Sequence, residues 1–344
     1  MHRSSCGHTL AHRHCSLPLA QLPVSDIWTW TRPPSATVRR VDPLLVITNS
    51  GAGTAVETTL ELALTILRRT VSIEVAATSN PGELDGVLHR AGSRRIVVAG
   101  GDGSLHAVVA ALHKRNELTG KTLALLPLGT GNDFARGTDI PLDIEEAARL
   151  VLEGEARPVD LIVDETGAIV VNNVHVGAGA QASRRGHKWK KVLGGVGVGK
   201  VNLGKFGYPI GALLTAFEPP SQRLRVEVDG KVVNDLDRPV MMVAVGNGAN
   251  VGGGTELTPE ADPESGKMDV MISRAVSVTA KIGYVAQLRK GEHHERDDVV
   301  YLRGSEVSIR GEEFYVSADG ELYGPERSRT WRIEPAAYNM VLPR

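Results

Sequence analysis

A short apolar run, Leu44-Leu45-Val46-Ile47, stops at the turn-rich string Thr48-Asn49-Ser50-Gly51-Ala52-Gly53. An apolar run this short, bounded by turn residues, predicts a buried strand. Residues 57–69 follow with Leu60, Leu64 and Leu67 at helical spacing. The unit then repeats. Strands are predicted at 71–76, 95–99 and 122–126, and helices at 81–91, 105–113 and 144–152, with Pro81 near the first turn of its helix. Further turn-rich loops lie at 100–104 and 127–132. Strand–loop–helix alternation predicts a parallel sheet with helices on both faces. Ligands of such sheets bind outside the carboxyl ends of the strands, where three glycine-rich loops fall.

After Gly154 the rhythm changes. Strands are predicted at 159–163, 169–174, 224–228, 240–245, 268–273, 299–302, 307–310 and 331–334, with one helix at 278–289. Asp229-Gly230 and Asp319-Gly320 are turn signals between strands. The pattern predicts a mostly antiparallel β-sandwich. The expected organisation is therefore an extension over 1–42, an α/β domain over 43–153 and a β-sandwich domain over 154–344. The extension carries His2, His8, His12, His14, Cys6 and Cys15. Histidine and thiolate are zinc ligands, but the spacing fits no ligand pattern, and a disordered extension is the expectation.

The two cysteines both lie in that extension, so no disulfide framework is expected and a cytoplasmic setting fits. No stretch reaches the roughly 18–20 apolar residues of a membrane span. Net charge is -1 and aromatics are 4% of 344 residues, which argues against nucleic acid as a partner. A homodimer is expected only from the frequency of dimers among soluble proteins.

Two strings carry the chemistry. In Ile96-Val97-Val98-Ala99-Gly100-Gly101-Asp102-Gly103-Ser104 a buried strand runs into glycines, with a helix just beyond. Glycines let backbone N–H groups close around phosphate, and a helix N-terminus adds favourable partial charge. Asp102 could hold a magnesium ion against nucleotide phosphates, accept a proton, or simply cap the helix. In Leu126-Pro127-Leu128-Gly129-Thr130-Gly131-Asn132-Asp133-Phe134-Ala135-Arg136 two glycines flank a hydroxyl, with Asn132 and Asp133 adjacent. A surface loop with an Asx turn would explain Asn132-Asp133 but not the whole string.

These two strings resemble the diacylglycerol kinase catalytic family, which also contains sphingosine and ceramide kinases and bacterial lipid kinases. NAD kinases share the first string and lack the second. Asn49, Ser50, Gly51 and Gly53 are similar to the family's first nucleotide loop, with Ser50 where Pro is usual, and Thr78 falls at a nucleotide-contacting position. The segment 172–180, the glycines of 246–254, Pro259 to Asp262 and Asp319-Gly320-Glu321 look like the family's second-domain signatures. The resemblance implies an NAD-kinase- or phosphofructokinase-like α/β nucleotide domain followed by a β-sandwich. It implies transfer of the γ-phosphate of ATP to a lipid hydroxyl, with diacylglycerol first and a sphingoid base second. A nucleotide-binding regulator without transferase activity is the other reading. Nucleotide-contacting residues would be Asn49, Ser50, Gly51, Gly53, Thr78, Gly100, Gly101, Gly103, Ser104, Gly129, Thr130, Asn132 and Asp133. Glu321 would be the general base, helped by Asp102, which would also hold magnesium.

The chain departs from the family at three places. His106-Ala107 replaces Asn-Glu, Gly179 replaces an acid, and Ser265 replaces an Asp. The last leaves Asp262 as the one carboxylate of a structural cation site, which is expected to be weak. Finally, 166–217 contains no Asp or Glu, while Arg184, Arg185, Lys188, Lys190 and Lys191 surround Trp189. Cations and tryptophan favour an anionic membrane surface, so a peripheral docking edge is expected, with a solvated basic face as the alternative.

Overall fold

The structure, a computed structural model, describes residues 43–51, 54–177 and 221–344. The first lobe alternates β1 (Leu44–Asn49), α1 (Thr54–Arg68), β2 (Ile73–Thr78), α2 (Pro81–His89), β3 (Arg95–Gly100), α3 (Asp102–Lys114), β4 (Thr122–Pro127), α4 (Asp133–Gly137) and α5 (Ile144–Glu153). Strands β4, β3, β1 and β2 lie side by side in that order, all parallel. Side chains alternate across the sheet as the pleat requires. Leu45, Ile47, Ile96 and Val98 face α2 and α3, while Leu44, Val46, Val97 and Ala99 face α1 and α5. Both faces are covered, which is why these strands read as continuous apolar runs.

The second lobe contains β5 (Glu155–Asp164), β6 (Ile169–Val170), β7 (Asn173–Gly177), β8 (Leu224–Val228), β9 (Lys231–Asn234), β10 (Met242–Gly246), β11 (Asn250–Val251), β12 (Thr255–Glu256), β13 (Met268–Ser273), α6 (Val278–Leu288), β14 (Val299–Gly304), β15 (Glu306–Ala318) and β16 (Glu321–Leu342). Its pairings are antiparallel, as the sequence predicts. Strand β15 pairs β8 through Val307–Gly311 and β7 through Val316–Ala318, with irregularities between, so one strand serves both layers. The layers close over Val174, Val226, Val243, Val270, Phe314 and Trp331. Helix α6 covers the outer face of β10 and β13 through Tyr284 and Leu288 on Met242 and Met271.

Strand β16 ties the lobes together. It pairs β15 and β5, then lies parallel to β4 at Asn339 and Met340. The sheet of the first lobe therefore runs into the second, and the described residues form one compact unit. No helix among the described residues is long and apolar enough to cross a membrane.

One predicted strand, 169–174, is two. The backbone N–H groups of Val171, Asn172 and Asn173 turn to the carboxylate of Asp319, at 2.7, 2.9 and 3.3 Å. Those bonds replace a sheet ladder, so β6 ends at Val170 and β7 starts afresh.

In β7 the ring of His175 is buried, and its Nδ1 has no hydrogen-bond partner. Burial pushes its pKa down to about 4. The unfolded chain takes a proton below about pH 6.5 that the folded chain refuses. Stability from this group is thus fully present above about pH 6.5 and drains away as the pH falls toward 4. Between pH 7 and pH 5 it amounts to roughly 2 kcal/mol. Urea unfolding of wild type and His175→Leu at both pH values should show the wild type losing more, by about that difference. Equal losses would contradict it.

Candidate active site

The loops that follow β1, β2, β3 and β4 emerge along one edge of the parallel sheet. Asn49 and Thr78 are cross-strand partners at its end. Asn49 Oδ1 accepts from the Gly51 N–H at 2.9 Å, which curls the first loop, and the Ser50 N–H donates to the Thr78 carbonyl at 3.0 Å. Thr78 Oγ1 reaches the Thr48 carbonyl at 3.4 Å. Gly53 and Gly179 lie outside the described residues, as do Arg184, Arg185, Lys188, Trp189, Lys190 and Lys191.

The loops after β3 and β4 touch through glycine. A Cβ on Gly101 would lie 2.8 Å from the Gly129 Cα, and one on Gly129 would lie 2.5 Å from the Gly101 Cα. No larger residue fits such an approach without moving backbone. Gly100 faces the Ser104 hydroxyl, where an added Cβ would meet Oγ at 2.3 Å. The second loop is tied by Asn132, in the left-handed region at φ 52°. Its Oδ1 accepts from the Gly129 N–H at 3.0 Å and its Nδ2 donates to the Gly129 carbonyl at 2.9 Å. Asn132 therefore acts as a brace of the loop, while the neighbouring Thr130 is exposed at its tip.

Helix α3 starts differently from the other well-capped helices. Asn80, Asp143 and Ser277 cap α2, α5 and α6 with their side chains, but Gly101 leaves α3 with no side-chain cap. The Ser104 and Leu105 N–H groups close back on the Gly101 carbonyl. The first two N–H groups, of Asp102 and Gly103, have no protein partner among the described residues. Such an open N-terminus favours an anion.

Asp102 and Asp133 converge here. Asp102 Oδ1 accepts from the Phe134 N–H at 3.0 Å, leaving Oδ2 toward Gly131, where an added Cβ would meet Asp102 Oδ2 at 3.2 Å and Asp133 Oδ2 at 3.4 Å. Asp133 is 8% exposed. Burial pushes its carboxyl up, the nearby charge of Asp102 adds to the effect, and backbone hydrogen bonds from Gly254 and Gly253 pull it back. Both carboxylates therefore crowd Gly131, where any side chain would press on their oxygens. Among the described residues no cluster of three or more His, Cys, Asp or Glu side chains forms a complete metal site.

Asp133 also has a role the sequence does not disclose. Its Oδ1 accepts from the N–H groups of Gly253 and Gly254, both at 2.8 Å, which latches the first lobe onto the second. Arg136 closes the other side by donating to the Gly131 carbonyl at 3.0 Å.

The Asp319-Gly320 turn joins β15 to β16, with both residues at positive φ. Asp319 is the anchor that holds the 171–173 backbone and receives His106 Nδ1 of α3 at 2.8 Å. Helix α3 is thereby brought against the turn that carries Glu321, which opens β16 and is exposed. Asn247 and Asn172 are buried framework, donating to the carbonyls of Asp160, Val171 and Asn250. At the expected second cation site, Asp262 Oδ1 accepts from the Glu264 N–H at 3.0 Å and the Ser265 hydroxyl donates to the Lys267 carbonyl at 3.2 Å. Asp160 holds that loop instead, through the Gly266 N–H at 2.6 Å.

An uncapped helix start behind a glycine loop is an arrangement that favours an anion. Residues 43–163 match the diacylglycerol kinase catalytic domain, and residues 172–342 match the YegS C-terminal NAD kinase beta sandwich-like domain. A Xanthomonas oryzae pv. oryzae protein named "Probable lipid kinase YegS-like" is 34% identical over 295 residues, covering 81% of this chain and 89% of its own. The "Diacylglycerol kinase" of Bacillus subtilis (strain 168) is 29% identical over 233 residues, covering 67% of this chain and 71% of its own. A solved diacylglycerol kinase structure from Bacillus anthracis str. Sterne superposes with a TM-score of 0.68 at 24% identity, covering 88% of this chain and 97% of that one, and shares the fold. The chain belongs to the diacylglycerol kinase catalytic family and is a kinase.

Proposed function

We propose that the protein transfers the γ-phosphate of ATP to the hydroxyl of a lipid, with diacylglycerol the first substrate and phosphatidic acid the product. The observation that carries this reading is the open start of α3 between two glycine loops that meet at Gly101 and Gly129, beside the free Oδ2 of Asp102. Phosphoryl transfer needs little covalent help from protein, chiefly positioning and charge neutralisation. The N–H groups of Asp102 and Gly103 would bind phosphate oxygens. Asn49, Ser50, Gly51 and Thr78 border the same edge and would line the nucleoside side. Asp102 would hold magnesium, with Asp133 shaping the field around it, and the ion would supply charge neutralisation on the phosphates. Glu321 and the Asp319 turn would meet the acceptor alcohol from the second lobe.

The relatives' printed names support a lipid acceptor. ATP consumption measured with magnesium over mixed micelles of diacylglycerol, sphingosine and ceramide tests it. Turnover with diacylglycerol supports the reading, turnover with sphingosine alone moves it to a sphingoid base, and turnover with none contradicts it.

The lipid would be reached from a membrane surface through Arg184, Arg185, Lys188, Trp189, Lys190 and Lys191. Each cation near an anionic surface contributes about 1 kcal/mol. Changing Lys188, Lys190 and Lys191 to Glu should therefore lower sedimentation with phosphatidylglycerol vesicles by at least about 10²-fold. Unchanged sedimentation would rule the edge out.

A further inference from the structure

Helix α6 carries apolar side chains on two faces. Tyr284 and Leu288 pack inward with Met242 and Met271, and the Tyr284 hydroxyl donates to Met271 Sδ at 3.3 Å. That face fastens the helix to β10 and β13. The other face lies in solvent. Val278 is 64% exposed and Ile282 54%, the two most exposed large apolar side chains among the described residues, and they stand one turn apart. Val276, just ahead of the helix, is exposed as well. The periodicity of a helix puts Ala286 and Arg289 on that same face. One apolar stripe is enough to dock a surface helix, so packing within the described residues leaves the second stripe without a purpose. An exposed apolar face rimmed by polar groups marks a contact site.

The rim is cationic. No Asp or Glu occurs from Val270 to Gly291, while Arg274, Lys281, Arg289 and Lys290 do. Arg289 and Lys290 are exposed at the end of the helix. The nearest acid to Lys290 is Glu292 at 3.9 Å, an exposed pair that neutralises little. The start of the helix is fixed by the sheet. Met242 of β10 pairs with both Gly177 of β7 and Ser273 of β13. The acid-free stretch 166–217 leaves the described residues at Gly177, and the chain passes from Ser273 through Arg274 to Ser277, which caps α6. Two acid-free stretches therefore meet at one edge of the second lobe.

We propose that the outer face of α6 rests on an anionic lipid surface. Val278 and Ile282, with Val276, sink among the acyl chains, while Arg289 and Lys290 meet the lipid phosphates. This rests on the reading that the acceptor is a lipid. A helix with apolar side chains and cations together on its outer face lies in the plane of a membrane interface, with the long cationic stems along the apolar boundary. Charge selects this occupant over a second copy of the chain. A symmetric pair of copies would gather the cations of both at one contact, whereas an anionic surface is complementary to them.

Val278→Ser combined with Ile282→Ser removes the apolar contact and leaves every charge. Both positions are exposed, so the melting temperature should hold. In the full chain, sedimentation with phosphatidylglycerol vesicles should fall by about 10²-fold, about tenfold for each apolar side chain withdrawn. Arg289→Gln combined with Lys290→Gln should lower binding to the same vesicles by at least about tenfold and leave binding to phosphatidylcholine vesicles unchanged. A wild type that does not sediment with phosphatidylglycerol vesicles, or a serine variant that sediments equally well, would overturn the proposal. So would light scattering that finds a wild-type dimer and a monomeric serine variant, which would give the face to a second copy. Sedimentation needs no turnover, so a chain that binds vesicles through this face yet phosphorylates no lipid would remove the kinase reading alone.

Discussion

Asp102→Asn should lower phosphoryl transfer by on the order of 10³-fold while leaving the protein folded. Asparagine keeps an oxygen for the Phe134 N–H, which Asp102 Oδ1 accepts at 3.0 Å, so the junction of α3 and α4 stays satisfied. What disappears is the negative charge of Oδ2 beside Gly131. That charge would hold the cation that offsets the phosphates, and its loss acts on the transition state more than on the fold. The substitution also removes the repulsion that Asp102 exerts on buried Asp133, so the melting temperature should hold or rise. Turnover and thermal unfolding, measured on one preparation, check both halves. A variant that keeps more than about a tenth of wild-type turnover would remove Asp102 from the central role.

Gly129→Ala should act in the opposite way, through structure first. Its Cβ would stand 2.5 Å from the Gly101 Cα and 2.7 Å from Asn132 Oδ1. Both neighbours are part of the phosphate loops, and Asn132 is already bonded twice to Gly129. The loops must part, the Asn132 brace must break, and the start of α3 must shift. Overpacking of this kind costs roughly 1–3 kcal/mol, and the lost hydrogen bonds add to it. ATP affinity should fall by at least about tenfold, because the displaced N–H groups are those that would cradle phosphate. Denaturant unfolding and calorimetric ATP titration read the two effects. Normal stability with normal ATP affinity would mean that the loop contact is not needed.

Much of the first lobe was legible because its signals are local. An apolar run buried on both faces followed by Gly-Gly-Asp-Gly-Ser specifies strand, turn and helix start within ten residues, and β3 and α3 fall close to their expected places. Long-range contacts were not legible. Nothing around residue 171 announces that its backbone will bond to Asp319, 148 positions later. Asp133 reads as a nucleotide-loop residue, yet its carboxylate holds Gly253, 120 positions away. Strands β15 and β16 extend far beyond the short apolar cores that marked them, because their flanks are polar and half-exposed and carry bulges that break the alternation. His106 looked like a departure from the family pattern, and its meaning depends on a partner 213 residues distant. The glycine loops at the ends of β3 and β4 could be read from the sequence, while the lobe-to-lobe bonds that position them required the fold.

That the edge built from Asn49, Thr78, Gly101, Asp102 and Gly129 moves phosphate from ATP to a lipid is tested most directly by following γ-labelled ATP and diacylglycerol in one reaction with wild type and Asp102→Asn. Label should leave ATP and enter phosphatidic acid in equal amounts with wild type, and at a rate on the order of 10³-fold lower with the variant. ATP bound by the wild type without label reaching any lipid would contradict it and would favour a nucleotide-binding regulator.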